Sequence, residues 1–337
     1  MKKKIIILGS NSFSANHLVH YLLKKKFFII GCSLSNMSEP KFNCIHKLPK
    51  SMTKNFKFNK INVNKEFSKL EKLILKFKPD IIVDFLGQGM VAESWVYPIL
   101  TFNTNVISKI KLYTFLSKQK FLKKYIKIST PEVFGSTKIT KSDFIKYNPS
   151  TPYALSHSTI ENYLLLLFKQ FSFPVIISRF ANFYGPYQKL YRVIPLAIHK
   201  ANKKEKFQLH GGGKSKRSFI YSDDFCNGIY KLITKAKVGE CYQFSSKEYL
   251  SIRKIVEIIY KKKNLDPKKY IISVKDRPGK DQDYKIFDND TRVRLNWKNK
   301  TSIDNGINQV IKWYDKYKNK FNKKDEKFKI STWKITF

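Results

Sequence analysis

A tyrosine and a histidine four residues apart, Tyr153 and His157 in TPYALSHSTIENY, follow the segment ISTPEVFGS, which carries Ser129, Thr130, Pro131 and Glu132. On an α-helix, positions i and i+4 share a face, so a phenol and an imidazole at this spacing can address one ligand. A phenol takes a proton from an alcohol only when its pKa falls from about 10 toward neutrality, a shift worth about 4 kcal/mol that nearby positive charge must supply. By itself the pair is an ordinary helix-surface feature, and the rest of the chain has to give it a reaction to serve. An imidazole with an ordinary pKa of about 6.5 is mostly neutral at pH 7, so His157 can supply little of that charge.

The elements that would hold these groups are well signalled. Ser150 or Thr151 can cap a helix whose first position suits Pro152 and whose buried length includes Tyr163 to Phe168, which predicts a helix over 152–171 with Tyr153 in its first turn. Ile5 to Leu8 reads as a strand ending at Gly9, followed by a helical pattern through His17, Leu18 and Tyr21 to Leu23 and by a second strand at Phe27 to Ile30. Further strands are expected at 81–86, 125–129 and 175–178, with helices near 65–76 and 104–117. This alternation predicts an α/β fold, a Rossmann-like doubly wound parallel sheet covered on both faces. After Arg179 the pattern becomes irregular, with a helix near 193–203, the turn-rich HGGGKSKRSF, a helix after Ser222, a strand at 241–244, a helix from Ser251 and a last one from Ser302 to about Tyr317. The expected division is a dinucleotide domain over 1–180, rejoined by 219–245, and a smaller α+β C-terminal substrate lobe made of 181–218 and 246–337.

The chain has 337 residues and 42% hydrophobic content, enough for a substantial core. Its formal charge of +41 would usually raise nucleic acid as a partner. Here the lysines are spread over nearly every segment with no basic and aromatic stripe, so no specific nucleic-acid partner is expected, and anionic small substrates are favoured. The apolar runs fall far short of a membrane span, and the segment after Lys2 to Lys4 is too short for a signal peptide, which points to a soluble, cytoplasmic protein without membrane attachment. Cys32, Cys44, Cys226 and Cys241 lack metal-ligand spacing, so neither a metal site nor a disulfide framework is expected, and the four read as buried, inert thiols.

Dinucleotide folds place a glycine-rich turn after the first strand so that backbone N–H groups approach a pyrophosphate at a helix N-terminus. Here the turn is GSNSFSA, with Gly9 present and Ser12 and Ala15 where two further glycines would stand. The second strand runs into GCSLSN, which offers no acid for a ribose diol and no arginine for a 2′-phosphate, so this loop leaves NAD and NADP both open.

Together these segments resemble the extended short-chain dehydrogenase/reductase family, and within it the nucleotide-sugar 4,6-dehydratases. The similarity runs through GSNSFSANHL, VDFLGQGMVAESW, TNV at 104–106, STPEVFGS, RFANFYGPY, GGGKSKRSFIYSDD and RPGKDQDY, in family order over nearly the whole chain. It implies NAD as cofactor, a nucleotide-diphosphate sugar as substrate and a homodimer formed by the helices near 104–117 and 152–171. Implied cofactor contacts come from Gly9, Asn11, Ser12, Phe13 and Ser14 in the loop, from Ser33, Asn62 and Val63 after the next strands, and from Leu86, Gly87, Asn105 and Ser129, with Tyr153 and His157. Implied catalytic groups are Thr130 holding the sugar O4, Tyr153 removing its proton, and Glu132 taking the C5 proton, with His157 beside them. Gln88, Asn182, Arg217 and Arg277 would complete the substrate site with Thr130 and Glu132, two guanidinium groups being suited to phosphate oxygens.

Three positions depart from the family pattern. His157 stands where the family has a lysine that holds the nicotinamide ribose and activates the tyrosine. Pro131 stands where many relatives carry an aspartate that protonates the departing C6 hydroxyl. Asn62 stands where an aspartate often meets the adenine amine. A 4-epimerase or decarboxylase on the same scaffold is one alternative, although Glu132 argues against an epimerase, which needs no C5 base. A protein that binds NAD and sugar without turnover is another, although Thr130, Glu132 and Tyr153 stand together against it. On the sequence alone, His157→Lys is expected to preserve or raise activity and to move the pH optimum downward in a pH–rate profile.

Overall fold

Short β-branched runs set the strands. The computed structural model describes residues 3–135, 147–275 and 285–326. Lys4–Leu8 (β1), Phe28–Ser33 (β2), Phe56–Lys60 (β3), Ile81–Asp84 (β4), Lys124–Ser129 (β5) and Val175–Phe180 (β6) are separated mainly by helical segments. They are followed by Asn182–Tyr184 (β7), Phe207–His210 (β8), Lys216–Tyr221 (β9), Cys241–Phe244 (β10), Tyr249–Ser251 (β11) and Ile271–Val274 (β12). The main sheet is seven-stranded, in the order β10-β6-β5-β4-β1-β2-β3, with every pair parallel. Parallel strands need crossovers, and the apolar faces of helices fill both sides of the sheet.

One face packs against the Phe13–Lys24 and Ser222–Lys235 helices, burying Leu18, Leu22, Ile229 and Leu232 with Ile5, Ile7 and Ile126. The other packs against Phe67–Phe77, Ser108–Leu116 and Pro152–Phe171, burying Leu70, Leu112 and Leu164 with Ile6, Ile82 and Tyr125. A third cluster gathers Ile198, Val256, Ile259, Ile307 and Val310 from the Val193–Asn202, Ile252–Lys262 and Ile303–Tyr317 helices with Leu209 and Phe219 of the small sheets β11-β9-β7 and β12-β8. β10 lies beside β6 at the edge of the large sheet, so the chain returns there after leaving it at Phe180.

Several boundaries differ from the sequence reading. The edge strand β3, FKFNK, was absent from it because its residues are only partly buried or exposed and carry no long apolar run. The helix expected over 104–117 begins as a π-helical stretch, Asn103–Ile107, before Ser108–Leu116. Such bulges rotate a side chain out of the regular helix face, and here Asn105 is turned toward the chain after β4. Thr151 caps the 152–171 helix by accepting from Ala154 N. Three cysteines are buried and burial pushes the Cys32 and Cys44 thiols up to about 12, whereas Cys241 is only partly buried, because it opens edge strand β10. Among the described residues no helix is long and apolar enough to cross a membrane.

Gly306 shows how tightly the second lobe is closed. A Cβ there would lie 1.9 Å from Tyr184 Oη, which extends from β7 to the backbone of Ser302 and Ile303. Gly306→Ala is therefore expected to lower stability by about 1–3 kcal/mol through overpacking, measured as a loss of urea midpoint with an unchanged slope.

Candidate active site

The chain after the C-terminal ends of β1, β4, β5 and β6 lines one cleft of about 1230 Å³, closed from the other side by the second lobe. Asn11 to Ser14 border it after β1, Phe85 to Gln88 after β4, Lys127 to Glu132 at the end of β5 and beyond it, and Phe180 to Asn182 after β6. Tyr153 and His157 enter from the 152–171 helix, with Arg192, Phe207 to His210 and Arg217 on the opposite wall.

Strand β5 alternates faces, so Ile126 and Ile128 point one way while Tyr125, Lys127 and Ser129 point toward the 152–171 helix. Ser129 Oγ lies 3.2 Å from His157 Nδ1. The chain then turns sharply: Thr130 caps the 3-10 turn Pro131–Phe134 by accepting from Glu132 N at 3.2 Å, and proline suits the first position of that turn. This turn brings Thr130 and Glu132 to Tyr153, and both act on its phenol, the Thr130 hydroxyl lowering and the Glu132 carboxylate raising its pKa. The Tyr153 and His157 rings meet edge to face, with centroids 4.7 Å apart.

Electrostatics set these groups apart. Burial pushes the Tyr153 phenol above its ordinary value and the Glu132 carboxylate adds to this, while the Thr130 hydroxyl and Arg192 oppose it. His157 is held well below its ordinary value, first by burial and then by Lys127 and Lys109, with Asp84 acting in the opposite sense. The imidazole is therefore neutral across the physiological range.

The nucleotide loop fits a dinucleotide despite its missing glycines. Gly9 has φ +74°, and a Cβ there would lie 2.9 Å from the Phe85 carbonyl carbon, so only glycine lets β1 turn against the chain after β4. Ser12 caps the Phe13–Lys24 helix, accepting from Ala15 N at 3.4 Å, and Ala15 is fully buried. The N-terminus of that helix thus opens on the cleft, as a pyrophosphate requires. Asn11 spends its side chain on the loop after β2, accepting from Ser38 N at 2.8 Å and donating to Ser35 Oγ at 2.6 Å.

Not every expected residue borders the cleft. Gly9, Ser33, Asn62, Val63 and Asn105 stand behind its wall. Ser33 Oγ accepts from Asn11 N at 3.4 Å, and Asn62 Oδ1 accepts from Asn64 N at 3.0 Å, so both hold loops. Asn105 accepts from Gln88 N at 2.7 Å and donates to Gln88 O and to Ser156 Oγ, tying the chain after β4 to the 152–171 helix. Leu86, Gly87, Gln88, Ser129, Asn182 and Arg217 all line the cleft. Gln88 uses its amide to clamp Met90. Arg277 lies outside the described residues.

Of the cleft-lining cations not singled out from sequence, Lys127, Lys189, Arg192, Lys200 and Lys206, two stand out. Arg192 sits at the start of the Val193–Asn202 helix and acts on Tyr153 across the cleft. Lys127 is buried on β5. It stands two residues before Ser129 and so shares its face, but in a chain this rich in lysine that spacing does not set it apart.

Known proteins agree with this architecture. The model of the NAD dependent epimerase/dehydratase family matches residues 5–244. A dTDP-D-glucose 4,6-dehydratase of Dictyostelium discoideum is 28% identical, over 94% of this chain and 82% of its own. The structure of dTDP-glucose 4,6-dehydratase from Bacillus anthracis in complex with NAD superimposes with a TM-score of 0.83 at 27% identity, covering 94% of this chain and 98% of that one. A Streptomyces venezuelae dTDP-glucose 4,6-dehydratase reaches a TM-score of 0.86 at 22% identity over 95% and 99% of the two chains, which supports the fold. With a family model spanning most of its length, the chain belongs to the NAD dependent epimerase/dehydratase family.

Proposed function

We propose that the protein is an NAD-dependent nucleotide-sugar 4,6-dehydratase, converting a nucleotide-diphosphate hexose to its 4-keto-6-deoxy derivative. The observation that carries this reading is the junction of Thr130, Glu132 and Tyr153: one hydroxyl and one carboxylate, both close enough to act on the phenol, in a single cleft. A plain epimerase has no use for that carboxylate, and the dehydratases named above are similar over nearly the whole chain.

NAD, when bound, supplies the hydride acceptor for C4 and the donor for C6. Asn11 to Ser14 and Leu86 to Gly87 would hold it. Thr130 holds the sugar O4 by its hydroxyl and Tyr153 removes the O4 proton. The ketone formed at C4 acidifies C5, whose proton Glu132 takes. Pro131 can donate no proton, so Glu132 itself passes the proton to the C6 hydroxyl, which leaves as water, and C5 takes a proton from solvent through Glu132 when the hydride would return to C6. Asn182, Arg217 and Arg277 take the diphosphate. In this division, 1–180 with 219–245 serves the dinucleotide, and 181–218 with 246–337 serves the sugar nucleotide. The enzyme acts in the cytoplasm, in synthesis of sugars for surface polysaccharides.

It also acts as a homodimer in this reading. Ile99, Ile107, Leu155 and Leu166 are exposed on the neighbouring 98–116 and 152–171 helices, a solvent-facing set of large apolar groups that a second copy would cover. Leu166→Glu is expected to convert a dimer to a monomer in light scattering.

The activity is tested by incubation with nucleotide hexoses, dTDP-glucose first. The product is expected to be lighter by one water in mass spectrometry, and an isomer of unchanged mass would sink the reading. Tyr153→Phe should lower kcat by about 10²–10⁴ with the fold intact. Glu132→Gln should block both water loss and exchange of the C5 hydrogen with deuterated solvent.

A further inference from the structure

Asp84 ends β4 with no exposed surface. Lys109 Nζ hydrogen-bonds both of its oxygens, Tyr125 Oη donates to one at 2.7 Å, and Leu86 N to the other at 2.9 Å. Lys127 is its register partner on β5, yet its Nζ comes only within 3.7 Å of the same carboxylate. Among the described residues the Lys127 ammonium makes no hydrogen bond. An ammonium has three donors, and buried donors are rarely left unmet. Lys127 borders the cleft, on the strand face that carries Ser129 to His157.

We propose that Lys127 supplies the ammonium of the hydride step, donating to the vicinal hydroxyls of the nicotinamide ribose and placing positive potential beneath Tyr153, work that His157 cannot do. The proposal rests on the NAD-dependent reading of this cleft. Lys109 hydrogen-bonds both Asp84 oxygens, whereas Lys127 Nζ stands 3.7 Å from that carboxylate and borders the cleft, so its charge is the less compensated of the two. Charged and titratable groups facing Lys127 are Asp84 from β4, Lys109 from the Ser108–Leu116 helix and His157 from the 152–171 helix, with Tyr125 on the same strand face; Tyr153 packs on His157 and itself feels Glu132 and Arg192. His157 already feels this charge, being held neutral by burial and then by Lys127. A neutral imidazole beside the phenol leaves the strand lysine as the cation on this wall.

Lys127→Met removes the ammonium while Asp84 keeps Lys109, Tyr125 and the Leu86 N–H. The dissociation constant of NAD, measured by calorimetry, is expected to rise on the order of ten-fold. Both the acid limb of kcat/KM and the Tyr153 phenolate absorbance, taken as the difference from Tyr153→Phe, should move up by about one pH unit. His157→Lys in the Lys127→Met background should restore both. Made alone, His157→Lys brings a third amine near one carboxylate and should preserve activity without raising it. Unchanged NAD affinity and phenol titration in Lys127→Met would overturn the proposal, as would failure of His157→Lys to rescue. If Lys127→Met does not fold, Lys127→Arg is compared with Lys127→Gln: a limb that rises only with glutamine supports the proposal, and equal behaviour overturns it. Absence of turnover on every nucleotide hexose would instead remove the dehydratase reading, since NAD binding and the phenol titration still report on Lys127.

Discussion

One buried carboxylate organises the floor of the cleft. Asp84 stands at the end of the central strand β4, and the groups that neutralise it come from β5, from the helix over 108–116 and from the backbone of the loop that lines the cleft. Burial opposes its ionisation, but Lys109, Lys127 and the hydrogen bonds from Lys109 and Tyr125 hold the carboxyl below its ordinary range. The counter-effect falls on Lys109, which burial lowers to about 7 against the pull of Asp84. Removing one partner of such a pair typically costs about 3–5 kcal/mol, because the remaining charge stays buried. The exit of the chain from β4 is thereby fixed, and with it Leu86 to Gln88, which are further tied by Asn105 to Ser156 of the 152–171 helix.

That helix is held from its other side by a second buried pair. Glu161 accepts from Arg179 of β6 and from Tyr147 Oη, while the Arg179 guanidinium lies 4.7 Å from the centre of the Phe134 ring. Phe134 closes the same turn that bears Thr130 and Glu132. The catalytic candidates are thus placed by two charge networks together with their own contacts, among them the Ser129 Oγ to His157 Nδ1 hydrogen bond, the bond from Glu132 N to Thr130 Oγ1 and the edge-to-face packing of Tyr153 on His157. Few local contacts leave the reacting groups free to meet a ligand, and rigid neighbours keep them in place.

How much of this could be read beforehand depended on whether the signal was local. The 152–171 helix was legible to the residue because Thr151, Pro152 and the apolar run lie next to each other. Strand β10 was legible as CYQF, but its place beside β6 was not, since pairing across sixty-odd residues leaves no local trace. Asn105 stands behind the wall because a π-helical turn points it at Gln88, and periodicity cannot reveal such a turn. Lys127 shows the opposite case. Strand alternation alone put it on the face of Ser129, and only the abundance of lysine hid it.

The proximity of Glu132 and Tyr153 orders the chemistry in time. While Glu132 is ionised it opposes loss of the phenol proton, which makes the phenolate, once formed, a stronger base toward the sugar hydroxyl. When that proton has moved to Tyr153 the phenol is neutral, and Glu132 can remain an anion without a like charge beside it. Its basicity is then available for C5 only after C4 has been oxidised, the same moment at which the C5 proton becomes acidic. Positive charge beneath the pair lowers the barrier to the first transfer without being needed for the second, so a lysine placed in the strand floor serves as well as one on the helix. A histidine four residues after the tyrosine is thus consistent with an intact site, provided that the amine comes from elsewhere in the same wall.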